Sequence, residues 1–580
     1  MEQRYLFAGF VMLTLLGACD KAEWPVDGGT DAGGGEGGAE LDDRFSAALA
    51  RRPLTEICDA DSSEAGLIDL RERALAYLAS GTEGKGPGDA LAHIVRAQLD
   101  DGYTPPANLV EPADWEDIFA SVDALEDTSD FRVLDLLAVL YVGGDSPVVS
   151  QATRERIDTL LRDFKYWFKD PTPSGRTDDM WYWTENHLVG FHAAEYLAGQ
   201  RLADETFSVT GLQGSEHMAR GRELLLDWFD TIRRFGFKEF HSDVYYGVQL
   251  RPLLLLAEYA QDDDIATLAA NTADLMLFDL ALHTRGGTFG AARGRTYKKD
   301  KLRTQDQGTF QLAKFLFDQT AVDYPHHTHL NVLLLASNTR YRVPRVIEDV
   351  AHDERPFVDR ERMSVPLDEH EPVRNMPEAA YGLSFSDPDD LNVWWGMSAL
   401  TPWQISVLSL QTMEQYNLWE NASFSSFLTL RPLVALLPLA RQLAYDNRTL
   451  LNAGVLSEVN SYTYRTRDYM LSSAQDRRFG MRSSQGHPWQ ATLGDDAFVF
   501  VTHPGVAPIE SDNWRKDSDT GQWTGTASLP RSAQHGNVAI HLQSPAYGPK
   551  KRMLCSSRPA ATSRTPMRFS PRSASTRCST

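Results

Sequence analysis

Between residues 45 and 450 apolar side chains recur at three- and four-residue spacing in one segment after another. This periodicity limits the fold more than any other feature of the chain. "EAGLIDLRERALAYLAS", "DALAHIVRAQLDD", "FRVLDLLAVLYV", "QATRERIDTLLRDFKYWF", "GSEHMARGRELLLDWFDTIRRF" and "DVYYGVQLRPLLLLAEYAQ" each carry an apolar stripe. "IATLAANTADLMLFDLALHT", "DQGTFQLAKFLFDQ", "ALTPWQISVLSLQTMEQYNLW" and "FLTLRPLVALLPLARQLAYDN" continue the series. Gly, Pro and Asp lie between the segments, as helix ends require. From about 455 the texture changes. "VNSYTYRTRDYMLSSAQ", "WQATLGDDAFVFVTHPG" and "GNVAIHLQS" alternate and are rich in Tyr, Thr, Val and Phe, the composition of strands. With 580 residues, 42% of them hydrophobic, the chain can bury more than one core.

The expected fold is therefore mainly α: an (α/α) toroid of about a dozen helices over 45–450, followed by a β-rich, sandwich-like domain over 451–548. An α-solenoid is the rival, and the missing repeat period counts against it. The first nineteen residues, "MEQRYLFAGFVMLTLLGAC", hold Arg4, an apolar stretch too short for an ordinary spanning helix, and small residues before Cys19. This is an export signal, and its Leu-Gly-Ala-Cys ending resembles the bacterial lipobox, in which the cysteine is acylated. Lipid on Cys19 would tether the chain to the outer face of a membrane in a bacterial envelope, whether inner or outer. Residues 20–44, with "DGGTDAGGGEGGAELDD", read as a Gly-rich acidic tether unable to bury a core. Residues 549–580 hold eight basic and no acidic residues and lack periodicity. A basic tail is one reading; a shift of reading frame near Pro549, with ordinary β-domain sequence in the other frame, is the one preferred.

A formal net charge of -23 argues against nucleic acid as a partner. Four cysteines make a disulfide scaffold an unsuitable description. No Gly-rich phosphate loop, Gly-x-Ser-x-Gly elbow or paired-Cys motif occurs, and no cofactor is expected. "PHHTH" (His326, His327, His329) lacks a carboxylate or cysteine at ligand spacing, so no metal is expected there or elsewhere. The stretch densest in chemistry is "WYWTENHLVGFHAAEYLAGQ", 181–200. Thr184 can cap a helix whose first turn brings Glu185, Asn186 and His187 to an end that favours an anion. His192 and Glu195 lie deeper and read as satisfied core groups. Trp181 and Trp183, with Trp394 and Trp395 further on, suit sugar stacking or core. "HSDVYYG" supplies His241, Asp243, Tyr245 and Tyr246, and the basic island "ARGRTYKKDKLR" either supplies Arg293 and Arg295 for a uronate or sulfate or is a solvated loop.

An Asn-His pair opening a helix, followed by "HSDVYYG", resembles the toroid polysaccharide lyases of the alginate lyase and heparinase II/III type. The run "TENH…EYLAGQ" also looks like a family of uncharacterised bacterial toroid proteins. Glu185 before the pair and the acidic balance depart from the better-known lyases. The resemblance implies β-elimination of a uronate-containing polysaccharide: Asn186 neutralises the carboxylate, His187 takes the adjacent proton, and Tyr245 or Tyr246 protonates the leaving oxygen. Trp181, Trp183, Glu185, His241, Asp243, Arg293 and Arg295 would line the substrate. Two other classes stay open. Glu185 and Asp243 could be the two carboxyl groups of a glycoside hydrolase, or an aromatic cleft could hold glycan without cleaving it.

Overall fold

The computed structural model describes residues 67–501, apart from 298, 368–372, 453 and 478–484, together with 529–542. The expected export signal, the lipidated Cys19, the tether and the tail at 549–580 lie outside the described residues. Within them the chain is mainly helical, with a β-sheet region built largely from its C-terminal part. Helices α1 (Arg71–Leu78), α2 (Pro87–Leu99), α3 (Glu116–Asp123), α4 (Ser129–Gly143) and α5 (Gln151–Asp163) lead to the long central set. That set is α6 (Glu185–Arg201), α7 (Gly214–Phe235), α8 (Tyr245–Tyr259) and α9 (Asp263–His283). Shorter helices follow: α10 (Phe310–Phe317), α11 (Leu330–Ser337) and α12 (Arg345–His352).

Helix α6 is buried on every side from Glu185 to Gly199, the mark of a helix at the centre of a larger body. It packs against α7, α8 and α4, while α8 packs against α9 and α11. The α6–α7 contact is backbone to backbone. A Cβ on Gly199 would stand 2.4 Å from Met218 N, and one on Gly221 would stand 2.7 Å from Tyr196 N. At this crossing Glu195 Oε1 accepts from His217 Nδ1 at 2.7 Å and from Arg220 Nε at 2.6 Å. Arg220 also makes a two-pronged pair with Asp170 at 2.7 and 2.9 Å. Helix α7 stops at Gly236, whose φ of +65° favours glycine, with Arg233 and Arg234 against the carbonyl end of the dipole. Helix α9 is long and apolar enough to span a bilayer, but most of it is buried inside the helical body.

The sheet has the order β3-β4-β5-β6-β7, antiparallel throughout, from β3 (Phe357–Met363), β4 (Val459–Arg465), β5 (Met470–Ala474), β6 (Trp489–Gly494) and β7 (Ala497–Phe500). A hairpin of β8 (Arg531–His535) and β9 (Val538–Leu542) joins it through a bridge between Gln475 and Ser532. The short hairpin β1 (Thr284–Arg285) and β2 (Thr288–Phe289) turns on Gly286 and Gly287, both at positive φ, as a two-residue turn requires. The expected boundary near 450 needs correction. Strand β3 comes from inside the region read as purely helical, and helices α13 (Leu391–Gly396), α14 (Ser406–Gln415), α15 (Leu437–Asp446) and α16 (Arg448–Leu451) intervene before its partner β4. In "FLTLRPLVALLPLARQLAYDN", Pro432 lies in a 3-10 stretch over Ser425–Ala435 and Pro438 opens α15, so one expected helix becomes two pieces.

His192 is buried on α6, edge-on to Trp167 at 4.7 Å. The expected satisfaction fails at one atom, because its Nδ1 has no hydrogen-bond partner. Burial lowers its pKa from 6.5 to about 3. An unfolded chain takes up this proton near 6.5 and the folded chain only near 3, so acidification across that window favours unfolding. The slope is up to about 1.4 kcal/mol per pH unit. His192→Phe removes that term: its stability in urea unfolding should gain on the wild type steadily as pH falls from 6.5 towards 4. Parallel pH profiles for the two proteins would contradict this assignment.

Candidate active site

The first turn of α6 is where the two sequence motifs meet. Thr184 occupies the N-cap position, but its hydroxyl pairs with the Asn186 side chain rather than with a backbone amide. The anion at this helix end is the protein's own. The Asn186 amide N–H donates to Glu239 Oε2 at 3.3 Å, and the Asn186 side chain, nitrogen inward, donates to the same oxygen at 2.8 Å. Glu239 Oε1 accepts from Arg295 Nη1 at 2.6 Å. Burial raises the Glu239 pKa, and Arg295 opposes the rise.

His187 sits one residue on, 6% exposed, with its ring stacked on Phe131 at 4.7 Å. Its Nδ1 lies 2.9 Å from Asp130 Oδ2. An ionised Asp130 accepts from Nδ1–H, and Nε2 is then the ring nitrogen turned away from it. Asp130 comes from the first turn of α4 and reaches α6 because Gly190 has no side chain; a Cβ there would be 2.8 Å from Oδ2. Burial pushes the Asp130 pKa up, and His187 works against that push.

Arg295 ties this end of α6 to Tyr245 at the start of α8. Its guanidinium lies 4.1 Å from the Tyr245 ring centre, Nε donates to Gln485 Oε1 at 3.0 Å, and Nη2 donates to Tyr297 at 3.2 Å. The Tyr245 and Tyr297 hydroxyls are hydrogen-bonded to each other. Burial holds the Tyr245 pKa well above 10, so its hydroxyl stays protonated at neutral pH. Burial works against the Arg295 charge, and the Glu239 carboxylate beside it favours that charge. Its side chain keeps 19% exposure and two further N–H donors. The structure thus joins Asn186 to Arg295 through Glu239, and Arg295 in turn to Tyr245. Asp130, Glu239 and Tyr297 were not singled out from the sequence. Glu239 stands two residues before "HSDVYYG", and Tyr297 lies within "ARGRTYKKDKLR".

Other expected site residues have different work. Tyr246 is 3% exposed, donates its hydroxyl to Asp279 and accepts from the His241 amide, which removes it from the proton-donor role. His241, fully buried, faces Asp279, His283 and Glu361 rather than a glycan. Glu185 points into the protein and accepts from Lys238 N at 3.0 Å, Glu239 N at 3.2 Å and Lys238 Nζ at 3.3 Å. Asp243 is locked to Arg293 at 2.8 Å, both fully buried, and Arg293 also donates to Gln490 at 3.1 Å. Neither Glu185 nor Asp243 is free to act as a hydrolase carboxyl group, and Arg293 is not free to hold substrate. Trp183 is enclosed by Trp395 at 5.5 Å and Phe424 at 4.4 Å, and Trp394 is equally buried. These three are core. Trp181, half-buried and edge-on to Trp183 at 5.2 Å, is the one that still reaches the surface. In "PHHTH", His326 contacts Gln311 and His327 packs against Tyr77.

No protein-family model, curated protein or solved structure matches this chain. The Asp243–Arg293 assignment has a direct consequence. Arg293→Met takes the guanidinium from a buried carboxylate and should cost about 3–5 kcal/mol in urea unfolding. Asp243→Leu combined with Arg293→Met should recover part of that loss. A single variant with unchanged stability would mean that the pair does not hold the fold.

Proposed function

We propose that this protein is a membrane-anchored lipoprotein of a bacterial envelope that cleaves a uronate-containing polysaccharide by β-elimination. The helical body would close as an (α/α) toroid around the substrate. The observation that carries the reading is the chain from Tyr245 through Arg295 and Glu239 to Asn186, whose neighbour in sequence, His187, is an imidazole oriented by Asp130. Asp130 fixes the His187 tautomer, so Nε2 is the base that removes the proton from the carbon beside the uronate carboxylate. Arg295, with donors to spare, neutralises that carboxylate and makes the proton removable. As the C–O bond to the next sugar breaks and the ring double bond forms, Tyr245 gives its proton to the leaving oxygen. Asn186 is fully buried and committed to Glu239, so its part is to position Glu239 and, through it, Arg295. Trp181 is the available stacking surface.

A panel of uronate-containing and neutral glycans tests the class of chemistry. Ultraviolet absorbance from a new unsaturated sugar is expected. Reducing ends without that absorbance would mean hydrolysis, and binding without either signal would mean a glycan-holding protein. On the substrate so found, His187→Ala should lower turnover about a hundredfold or more, the usual scale of general-base loss. Tyr245→Phe should do likewise, and both should retain the wild-type unfolding midpoint within a few degrees.

The anchoring part of the proposal rests on Cys19 and its Leu-Gly-Ala-Cys context. Cys19→Ser should move the protein from the membrane pellet to the soluble extracytoplasmic fraction and abolish incorporation of labelled fatty acid. Retained label in that variant would refute lipidation at this residue.

A further inference from the structure

Away from Glu239, four side chains from three separate parts of the chain converge on one point. His241 comes from the loop before α8, Asp279 and His283 from the last turns of α9, and Glu361 from β3. One ligand atom of each lies within 4.8 Å of those of the others. His241 Nε2 is 2.6 Å from Glu361 Oε2 and 3.3 Å from Asp279 Oδ1, and His283 Nδ1 is 2.7 Å from Asp279 Oδ1. His241, Asp279 and His283 are buried, and the Glu361 side chain keeps 21% exposure.

One unsatisfied oxygen at the middle of the group favours a metal site over an ordinary buried ion-pair cluster. Asp279 Oδ1 is buried and accepts no well-directed hydrogen bond, although two imidazole nitrogens stand beside it. His241 Nε2 is hydrogen-bonded to Glu361 Oε2 and His283 Nδ1 also reaches the Asp279 carbonyl at 2.9 Å, yet Asp279 Oδ1 stands within 3.3 Å of both rings with no directed bond from either. The outward atoms are each held as well. His241 Nδ1 donates to Ala292 O at 3.0 Å, which leaves Nε2 as a lone-pair donor. Asp279 Oδ2 accepts from the Tyr246 hydroxyl. His283 Nε2 lies 3.1 Å from Thr463 Oγ1, whose hydroxyl donates to Ser472 at 2.8 Å. Outer partners of this kind orient metal-bound imidazole and carboxylate groups. His241 is moreover held at a φ of +47°, unusual for a residue with a side chain.

We propose that His241, Asp279, His283 and Glu361 bind one divalent transition-metal ion, with zinc preferred. Two nitrogen and two oxygen donors suit that class better than calcium or magnesium, which prefer oxygen alone. Four protein ligands close the coordination shell, so the ion is structural: it fastens the end of α9 and the loop before α8 to strand β3. Asp279 and His283, four apart on one helix, form the only local half of the site. The other ligands are distant in sequence, and for that reason spacing alone predicts no metal.

The test is metal analysis of the full-length protein, purified without chelator or affinity metal. About one equivalent of zinc per chain is expected; manganese or iron at the same level would support the site with a different ion. Stripping with a chelator should lower the melting temperature by roughly 5 °C or more, restored by zinc and not by magnesium. Glu361→Gln, a change at the most accessible ligand, should retain the fold and lose most of the bound metal. Less than a tenth of an equivalent of any transition metal, with a melting temperature indifferent to added zinc, would overturn the proposal. So would stoichiometric metal retained in both Glu361→Gln and His283→Gln. None of these readings depends on polysaccharide cleavage.

Discussion

Glu239 is the charge on which the arrangement of the central helices depends. It is fully buried next to a second buried carboxylate, Glu185, a pairing that repels and raises the Glu239 pKa. Two carboxylates persist there because each has its own donors. Glu185 takes Lys238 and the backbone of residues 238–239, and Glu239 takes Arg295, the Asn186 side chain and the positive end of α6. Removing any one donor would leave a buried negative charge short of compensation, which is costlier than losing an exposed pair. The positions of α6, the loop before α8 and the basic segment after β2 are thereby coupled. A shift in one moves the donors of the other two.

This coupling explains why the basic island stands in an acidic protein. Far from being a solvated loop, "ARGRTYKKDKLR" sends Arg293 inward to Asp243 and Arg295 to Glu239. Burial brings the Lys301 pKa down to about 8. The same segment meets the sheet region, because Arg293 N donates to His487 O and His487 N returns a hydrogen bond to Arg293 O. The charges that order the proposed catalytic groups therefore also seat the β-sheet against the helices.

The helical body is legible in the sequence because each helix records its own burial as a three- to four-residue period, a purely local signal. Strand β3 is not. "FVDRERM" sets four charged residues in a row between Val358 and Met363, is half-exposed, and gains its identity only from pairing with β4. The site divides in the same way. His187 and Tyr245 stand in motifs dense enough to notice, whereas Asp130 acquires meaning only through Gly190, which admits it to α6. The tryptophans mislead because an indole has the same letter in a core as in a sugar platform. Trp183, Trp394 and Trp395 are sealed by neighbours that come from elsewhere in the chain. Glu185 and Asp243 mislead for an electrostatic reason: a free acid and an internally paired one read alike until the partner is known.

The descent of β3 from inside the helical region carries a consequence for the order of folding. Its register with β4, from Phe357 opposite Arg465 to Met363 opposite Val459, forms across the whole stretch that holds α13 to α16. Contacts between residues so far apart require closing a long loop before they return any stabilisation, and such contacts slow folding. The helices before residue 352 can collapse on their neighbours while the sheet still waits for its later strands. A chain synthesised from its N-terminus would thus present a nearly finished helical body with one unpaired strand. That strand's alternating Asp359, Arg360, Glu361 and Arg362 act as charged guards against mispairing until β4 arrives.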